Sequence, residues 1–211
     1  MKHLIIIGAG GMGRCIFDMA KGCIGYGVEF DIKGFIDDNI HALDDFKNYS
    51  PVINTISNYK PVVNDVFVCS MGNMQTKKII CESLKAKGAV FQKLIHHTSV
   101  VGANTIVGDG SVIAEYVVVS PDAVIGENSL VQSFAVVGHD CSVGDYVRID
   151  THCTCVGGTT IRDGATLHTS AVINHNVVIG ENATVAACSF VIRKVKPGTT
   201  VMGNPAKILK F

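Results

Sequence analysis

Apolar residues recur at every sixth position along nearly half of this chain. Cut into hexads from Val100, the sequence places Val101, Val107, Ile113, Val119, Ile125, Val131, Val137, Val143, Ile149, Cys155, Ile161, Leu167, Ile173, Ile179, Val185 and Val191 in one column. All are aliphatic except Cys155, which is itself small and apolar. The sixth position is Ala, Ser, Thr, Cys or Val throughout, and the third is often Gly, as at Gly102, Gly108, Gly126, Gly138, Gly144 and Gly180. No amphipathic helix holds such a period, because its 3.6-residue turn would scatter the column around the axis. One inward residue per hexad predicts short strands separated by corners. Three hexads then close a triangular coil of 18 residues, and coils stack at about 4.8 Å. Gly and Asn are expected to supply the permissive backbone at the corners.

Before the repeat the pattern changes to alternating strand and helix. Residues 4–7 read as a short buried strand, followed by Gly8-Ala9-Gly10-Gly11-Met12-Gly13 and a helix over 14–21. Strands are expected at 30–36 and 66–70 and a helix at about 75–87, which together make a small parallel sheet. Gly8, Gly10 and Gly13 satisfy G-x-G-x-x-G between strand and helix, with Asp37-Asp38 some 25 residues later. That fingerprint places a phosphate over a helix N-terminus, where free N–H groups and the macrodipole favour an anion. Only about 95 residues precede the repeat, so one nucleotide diphosphate is a better fit than a dinucleotide.

Composition narrows the classes. Formal net charge is zero, without the basic footprint of a nucleic-acid binder. No apolar stretch approaches the roughly 20 residues that span a bilayer. The N-terminus runs straight into a strand without a signal pattern, so membrane insertion is not expected and the chain reads as cytoplasmic. Disulfides are accordingly not expected among the eight cysteines. The group His152-Cys153-Thr154-Cys155 suggests a metal site, but it has no second pair at zinc-like spacing. The hexad register puts Cys155 in the aliphatic column and Cys141 and Cys153 in the small-residue column. They read as core filler, and no metal is expected.

Both halves resemble the hexapeptide-repeat sugar acetyltransferases of the sialic acid, bacillosamine and perosamine family. The motifs that carry the resemblance are Gly8 to Gly13, Phe35-Ile36-Asp37-Asp38, Ser70-Met71-Gly72-Asn73, Leu94-Ile95-His96, the stretch from Gly138 to Tyr146, and Gly203-Asn204-Pro205-Ala206-Lys207. The resemblance implies an α/β Rossmann-like half domain followed by an all-β, left-handed parallel β-helix. The expected division is 1–95 for nucleotide-sugar binding, 96–195 for the acyltransferase β-helix, and 196–211 for a tail near the CoA site. It implies acetyl-CoA as co-substrate, a nucleotide-linked amino sugar as acceptor, and a homotrimer with acetyl-CoA between subunits. His139 would be the general base, a role imidazole fills at neutral pH, and Asp140 would orient it. Strand neighbours point to opposite faces, so that pairing requires a corner at 139–140. One coil on, at 139 + 18, stands Gly157, whose N–H could face the developing oxyanion. A further coil gives His175, either a wall of the CoA groove or an exposed corner residue. Gly10, Gly11, Met12, Gly13, Asp37, Asp38, Gly72 and Asn73 are expected to contact the acceptor.

The chain departs from the family pattern at particular positions. Met12 replaces a His before the last glycine of the turn. Arg148 replaces a second His at the acetyl-bearing end of CoA, where it could hold a carbonyl or a phosphate, or face solvent. Gln132 replaces an Asn, which bears on acceptor recognition. Val185-Ala186-Ala187-Cys188 replaces Ile-Gly-Ala-Gly, and Ala187 still leaves room for CoA. Three rival readings remain open at this point: a γ-carbonic-anhydrase-like metalloenzyme, a non-catalytic sugar-nucleotide binding module, and an O-acetyltransferase acting on a free sugar such as sialic acid.

Overall fold

The computed structural model describes residues 1–209. It divides into two compact units, Met1–Leu94 and a second from Ile95 onward. The tail expected over 196–211 therefore ends two residues beyond the described chain.

The first unit runs β1 (Lys2–Ile7), α1 (Gly11–Ala20), β2 (Phe30–Ile36), β3 (Val52–Asn54), β4 (Asp65–Cys69), α2 (Met74–Ala86) and β5 (Val90–Phe91). The five strands form one parallel sheet in the order β3-β2-β1-β4-β5. Leu4, Ile5, Ile6 and Ile7 are all fully buried, as a central parallel strand covered on both faces must be. Because β2 lies to one side of β1 and β4 to the other, the strand order reverses between β1 and β4. A crevice outside the carboxyl ends at such a point is where open α/β sheets bind ligands. The sequence pattern predicts α1 from residue 14, whereas the helix begins at Gly11. Two glycines in its first turn hide this start, and packing overrides their poor helix propensity. At Gly13 a Cβ would collide with the Gly8 carbonyl, so only glycine lets α1 sit this close to the turn.

On α2 the buried positions are Met74, Lys77, Cys81 and Leu84, an ordinary helical stripe with a lysine in it. Lys77 is 1% exposed. Burial pushes its pKa down, and the groups acting against that are the thiols of Cys69 and Cys81. The hydrogen bond with Cys81 pulls Cys69 down to about 7 against its own burial, with help from Lys77.

In the second unit the repeat folds into three parallel sheets. Each strand pairs with the one 18 residues later, as Val118 with Val136, Val124 with Ser142 and Leu130 with Arg148. The solenoid starts one hexad before Val100, at Leu94–Ile95, and ends in a hairpin of Thr200–Gly203 and Ala206–Ile208 on one sheet. From Val107 to Val191 every residue of the aliphatic column is buried. Val101, in the terminal strand of its sheet, is 36% exposed.

The corners separate two jobs that the sequence reading assigned together. Left-handed backbone falls on the fifth hexad position, at every sixth residue from Asn104 to Cys188. It is taken there by Asn, Asp, Ser, Tyr, Phe, His and Cys as well as by Gly110, Gly158 and Gly164. The third-position glycines do not have positive φ. They are small because the next coil passes directly over them: a Cβ on Gly108 would lie 2.6 Å from the Gly126 carbonyl carbon. Cys141, Cys153 and Cys155 are buried, and burial raises all three thiols, Cys153 to about 11. Such thiols stay protonated at neutral pH and fill space.

Two stability measurements test this account. Gly108→Ala should destabilise by about 1–3 kcal/mol through overpacking, while Asn104→Gly, at a positive-φ position, leaves the denaturant midpoint unchanged or raised. With its pKa lowered on folding, Lys77 binds fewer protons in the native state, so its contribution makes stability rise with pH up to about 10.5. Lys77→Met should raise Tm at pH 7 and flatten that alkaline rise.

Candidate functional site

His139 and Asp140 occupy the fourth and fifth positions of a corner, and the corner geometry is what pairs them. Asp140 has φ 58°, which turns its carboxylate back along the edge instead of to the opposite face. Its Oδ2 lies 2.6 Å from His139 Nδ1. A carboxylate at Nδ1 assigns the ring proton to that nitrogen and leaves Nε2 as acceptor. The pair is exposed, with side-chain accessibilities of 62% and 66%.

One coil on, Gly157 faces the ring. A Cβ there would lie 2.5 Å from His139 Nε2, so the imidazole occupies the place a side chain would take. The N–H groups on either side of Gly157 are committed, Val156 donating to the Ile173 carbonyl and Gly158 to that of His139. The Gly157 N–H donates to no acceptor among the described residues. His175 completes the column, its ring centroid 6.4 Å from that of His139. Four of the expected residues thus come together on one edge of the solenoid.

Gln132, Arg148 and Ala187 lie elsewhere. The His139 corner connects the sheet of Val136–Val137 to that of Ser142–Val143, whereas Gln132 and Ala187 lie on the edge entering the Val136–Val137 sheet. On this second edge Gln132 and Arg148 meet at Asp150, a residue the sequence reading passed over. The Asp150 carboxylate accepts from Arg148 Nε (2.6 Å) and a second guanidinium nitrogen (3.1 Å), and from the Gln132 amide. His168 Nδ1 lies 3.1 Å from its other oxygen. The signal was available: 132, 150 and 168 are one coil apart, the same arithmetic that finds 139, 157 and 175. Tyr116, Phe134 and His152 stack along this edge as well, with centroids 5.1 Å apart. Among the described residues, no group of three or more His, Cys, Asp or Glu side chains is arranged to hold a metal ion.

In the first unit the expected residues surround the carboxyl ends of β1, β2 and β4. Gly8, at φ 95°, turns the chain out of β1, and a Cβ on Gly10 or Gly11 would meet open space. Gly10 caps α1 without a side chain, and no side-chain cap hydrogen bond covers the helix N-terminus. Asp37 supports that turn: one carboxylate oxygen accepts from the Ala9 N–H (2.7 Å), the other from Asn39 (2.8 Å). Asp38 accepts from the Ile56 N–H. Asn73 caps α2 by accepting from Thr76, beside exposed Gly72. Met12 is half-buried in the first turn of α1. Ser70, which the sequence reading placed in a motif without a role, holds the turn by donating toward the carbonyls of Ile7 and Gly8.

A triangular β-solenoid with a histidine–carboxylate pair on one edge, attached to a small doubly wound α/β unit, defines a hexapeptide-repeat acyltransferase. The sequence matches the PglD N-terminal domain family over residues 3–84 and the GMPPB C-terminal domain family over 113–210. The acetyltransferase domain of PglB from Neisseria gonorrhoeae is 30% identical, with TM-score 0.88, over 99% of this chain and 100% of that one; a structure of the same domain contains acetyl coenzyme A. WeeI from Acinetobacter baumannii is 25% identical, with TM-score 0.86, over 99% and 100% of the two chains. A perosamine N-acetyltransferase from Caulobacter crescentus, in complex with CoA and GDP-perosamine, shares the fold at 21% identity and TM-score 0.89, over 100% and 98%. No curated protein matches the sequence. The chain belongs to the hexapeptide-repeat sugar acetyltransferases of the sialic acid, bacillosamine and perosamine family, and its β-helix is left-handed. It is an acyltransferase acting on sugars. No helix among the described residues is long and apolar enough to cross a membrane.

The geometry at Gly157 makes a direct prediction. Gly157→Ala should push the His139 ring away from Asp140 while changing stability by less than about 1 kcal/mol, because the exposed ring can swing aside. Nitrogen-15 NMR of the imidazole should show loss of the Nδ1-protonated tautomer.

Proposed function

We propose that this protein transfers an acetyl group from acetyl-CoA to the amine of a nucleotide-linked sugar, with His139 as general base. The observation that carries this reading is the His139–Asp140 pair with its free Nε2 against Gly157. The sugar nitrogen attacks the thioester carbonyl, Nε2 takes the proton released from nitrogen, and Asp140 stabilises the imidazolium. The new C–N bond forms, the C–S bond breaks, and the imidazolium returns the proton to the departing CoA thiolate. The oxyanion that develops between these steps would accept from the Gly157 N–H. Acetyl-CoA as donor is supported by its presence in the PglB domain structure.

The acceptor would be held by the first unit, taken as residues 1–95. The open N-terminus of α1 at Gly10, Gly11, Met12 and Gly13 suits a diphosphate, with Gly72 and Asn73 across the crevice. Asp37 would act chiefly by shaping the turn, since both of its carboxylate oxygens accept backbone N–H groups; Asp38 stands next to it on the exposed side. Arg148, His175 and Ala187 would line the acetyl-CoA groove, Gln132 would bear on acceptor recognition, and the tail from 196 would border the groove. His139 and Arg148 belong to different sides of one solenoid, so a single groove containing both needs another copy of the chain. A homotrimer around an axis parallel to the solenoid provides this. The protein would act in the cytoplasm, where acetyl-CoA and nucleotide sugars are made.

Thiol release measured with UDP-, GDP- and CMP-linked amino sugars tests the reading. His139→Ala should lower kcat by about 10²–10⁴ while changing acetyl-CoA affinity less than threefold. Absence of thiol release with every nucleotide amino sugar, or transfer to free sugars alone, would overturn it.

A further inference from the structure

Lys77 sits on the buried stripe of α2 with Cys81 one turn further on, and Cys69, the last residue of β4, lies against both. Lys77, Cys81 and Cys69 are 1%, 0% and 1% exposed. Among the described residues no carboxylate pairs with Lys77, and the groups that offset its burial are the two thiols. An ammonium group taken out of water is far costlier there than the Leu or Met that such a stripe ordinarily carries. The contacts on Cys69 have a direction. The Cys81 thiol and the Met71 N–H both donate to its sulfur, and Lys77 adds positive charge. In the solenoid, burial pushes the thiols of Cys141, Cys153 and Cys155 up, whereas here two donors and a cation pull Cys69 down to about 7. A sulfur held as thiolate beside a cation, with a second thiol in contact, has the chemistry of a peroxide-sensitive pair.

We propose that Cys69 and Cys81 are a modification site, a dithiol that hydrogen peroxide closes to a disulfide, with Lys77 supplying the protons the reaction needs. The Cys69 thiolate attacks one peroxide oxygen; the S–O bond forms, the O–O bond breaks, and the departing hydroxide takes a proton from the Lys77 ammonium to become water. Lys77, now a neutral amine, takes the proton of Cys81. The Cys81 thiolate attacks the Cys69 sulfur, the S–S bond forms and the S–O bond breaks. The second hydroxide recovers the proton from Lys77 and leaves as water. The peroxide is reduced to two waters, the two sulfurs are oxidised, and Lys77 ends as the neutral amine that a buried site favours. Peroxide reaches Cys69 from the carboxyl end of β4, where Met71 is half-buried and Gly72 and Asn73 are exposed. Sulfurs already in hydrogen-bond contact close to a bond of about 2 Å through rotation of the two side chains. The bond also acts at a distance. Ser70 follows Cys69 and holds the turn at Gly8 through its hydroxyl, so drawing Cys69 toward α2 shifts the support of the glycine turn.

Peroxide titration of the full chain tests this, in a background where the exposed thiols are removed by Cys15→Ser and Cys188→Ser. After oxidation, denaturation and alkylation, mass spectrometry should show two thiols lost. A tryptic peptide pair should join Cys69 to Cys81, lighter by two hydrogens than its parts, and dithiothreitol should restore both thiols. Cys141, Cys153 and Cys155 should remain fully alkylated. Lys77→Met should slow the loss at least about tenfold, since it removes both the charge that holds the thiolate and the proton donor. Cys81→Ser should stop the reaction at a sulfenic acid on Cys69, trapped as its dimedone adduct; this variant keeps the test open if Lys77→Met fails to fold by circular dichroism. Hydrogen exchange over residues 8–14 should change on oxidation and return on reduction. None of these readouts requires acetyl transfer. Thiols that survive peroxide, loss at the same rate in Lys77→Met, or equal loss from the solenoid cysteines overturns the proposal. So does a Lys77–Cys69 cross-link that leaves Cys81 free, a Cys81→Ser protein without the adduct, or unchanged exchange over 8–14.

Discussion

The parallel ladder that joins each residue to the one 18 positions later is the constraint on which the rest of the second unit depends. It holds only if the chain turns through the same angle at every corner, and the turn is made by a left-handed residue at the fifth hexad position. For a non-glycine residue that conformation costs about 1–2 kcal/mol. One inward aliphatic side chain per hexad contributes about 1.5–3 kcal/mol when buried, enough to hold the corner closed. The same conformation at Asp140 brings its carboxylate to His139. A requirement of the fold has therefore become the geometry of the site, and no additional strain is needed to build it.

How far the sequence could be read follows from which forces act at each residue. Period six survives as a pattern because every coil repeats the same burial, so the solenoid, its register and the stacking of His139, Gly157 and His175 were all legible. The Asp150 cluster was not, although identical arithmetic reaches it. Gln132 and Arg148 stand out singly as departures from a pattern, and what joins them is a contact across coils. Glycine misled in two ways. Its third-position column marks close approach of backbone rather than corner conformation, and the glycines at the start of α1 conceal a helix secured by packing. Strands β3 and β5, three and two residues long, are too short to show alternation. Lys77 reads as one more polar residue on a helix, and only the fold reveals that it is buried.

In the first unit, the residues expected to touch a ligand also have structural duties. Asp37 braces the glycine turn, Asn73 caps α2, and Ser70 secures the turn from the neighbouring strand. In the proposed function, an anion there would be held by backbone N–H groups and a helix terminus, which do not depend on side-chain identity. Selection among acceptors would then fall to side chains such as Met12, half-buried in the first turn of α1.

The 18-residue register also restricts how this chain can change length. A hexad inserted between His139 and Arg148 would preserve the hydrophobic pattern and the corners, yet every later side chain would rotate by a third of a turn onto a different edge. Arg148, Asp150 and His168 would move together and remain bonded to one another, while Gln132 stayed behind and Gly157 no longer covered His139. Only a whole coil preserves the angular positions, and even that displaces the two halves by one layer. Lineages of this protein are thus free to lengthen the solenoid at its ends, but the span from Gln132 to His175 is fixed in length by geometry alone.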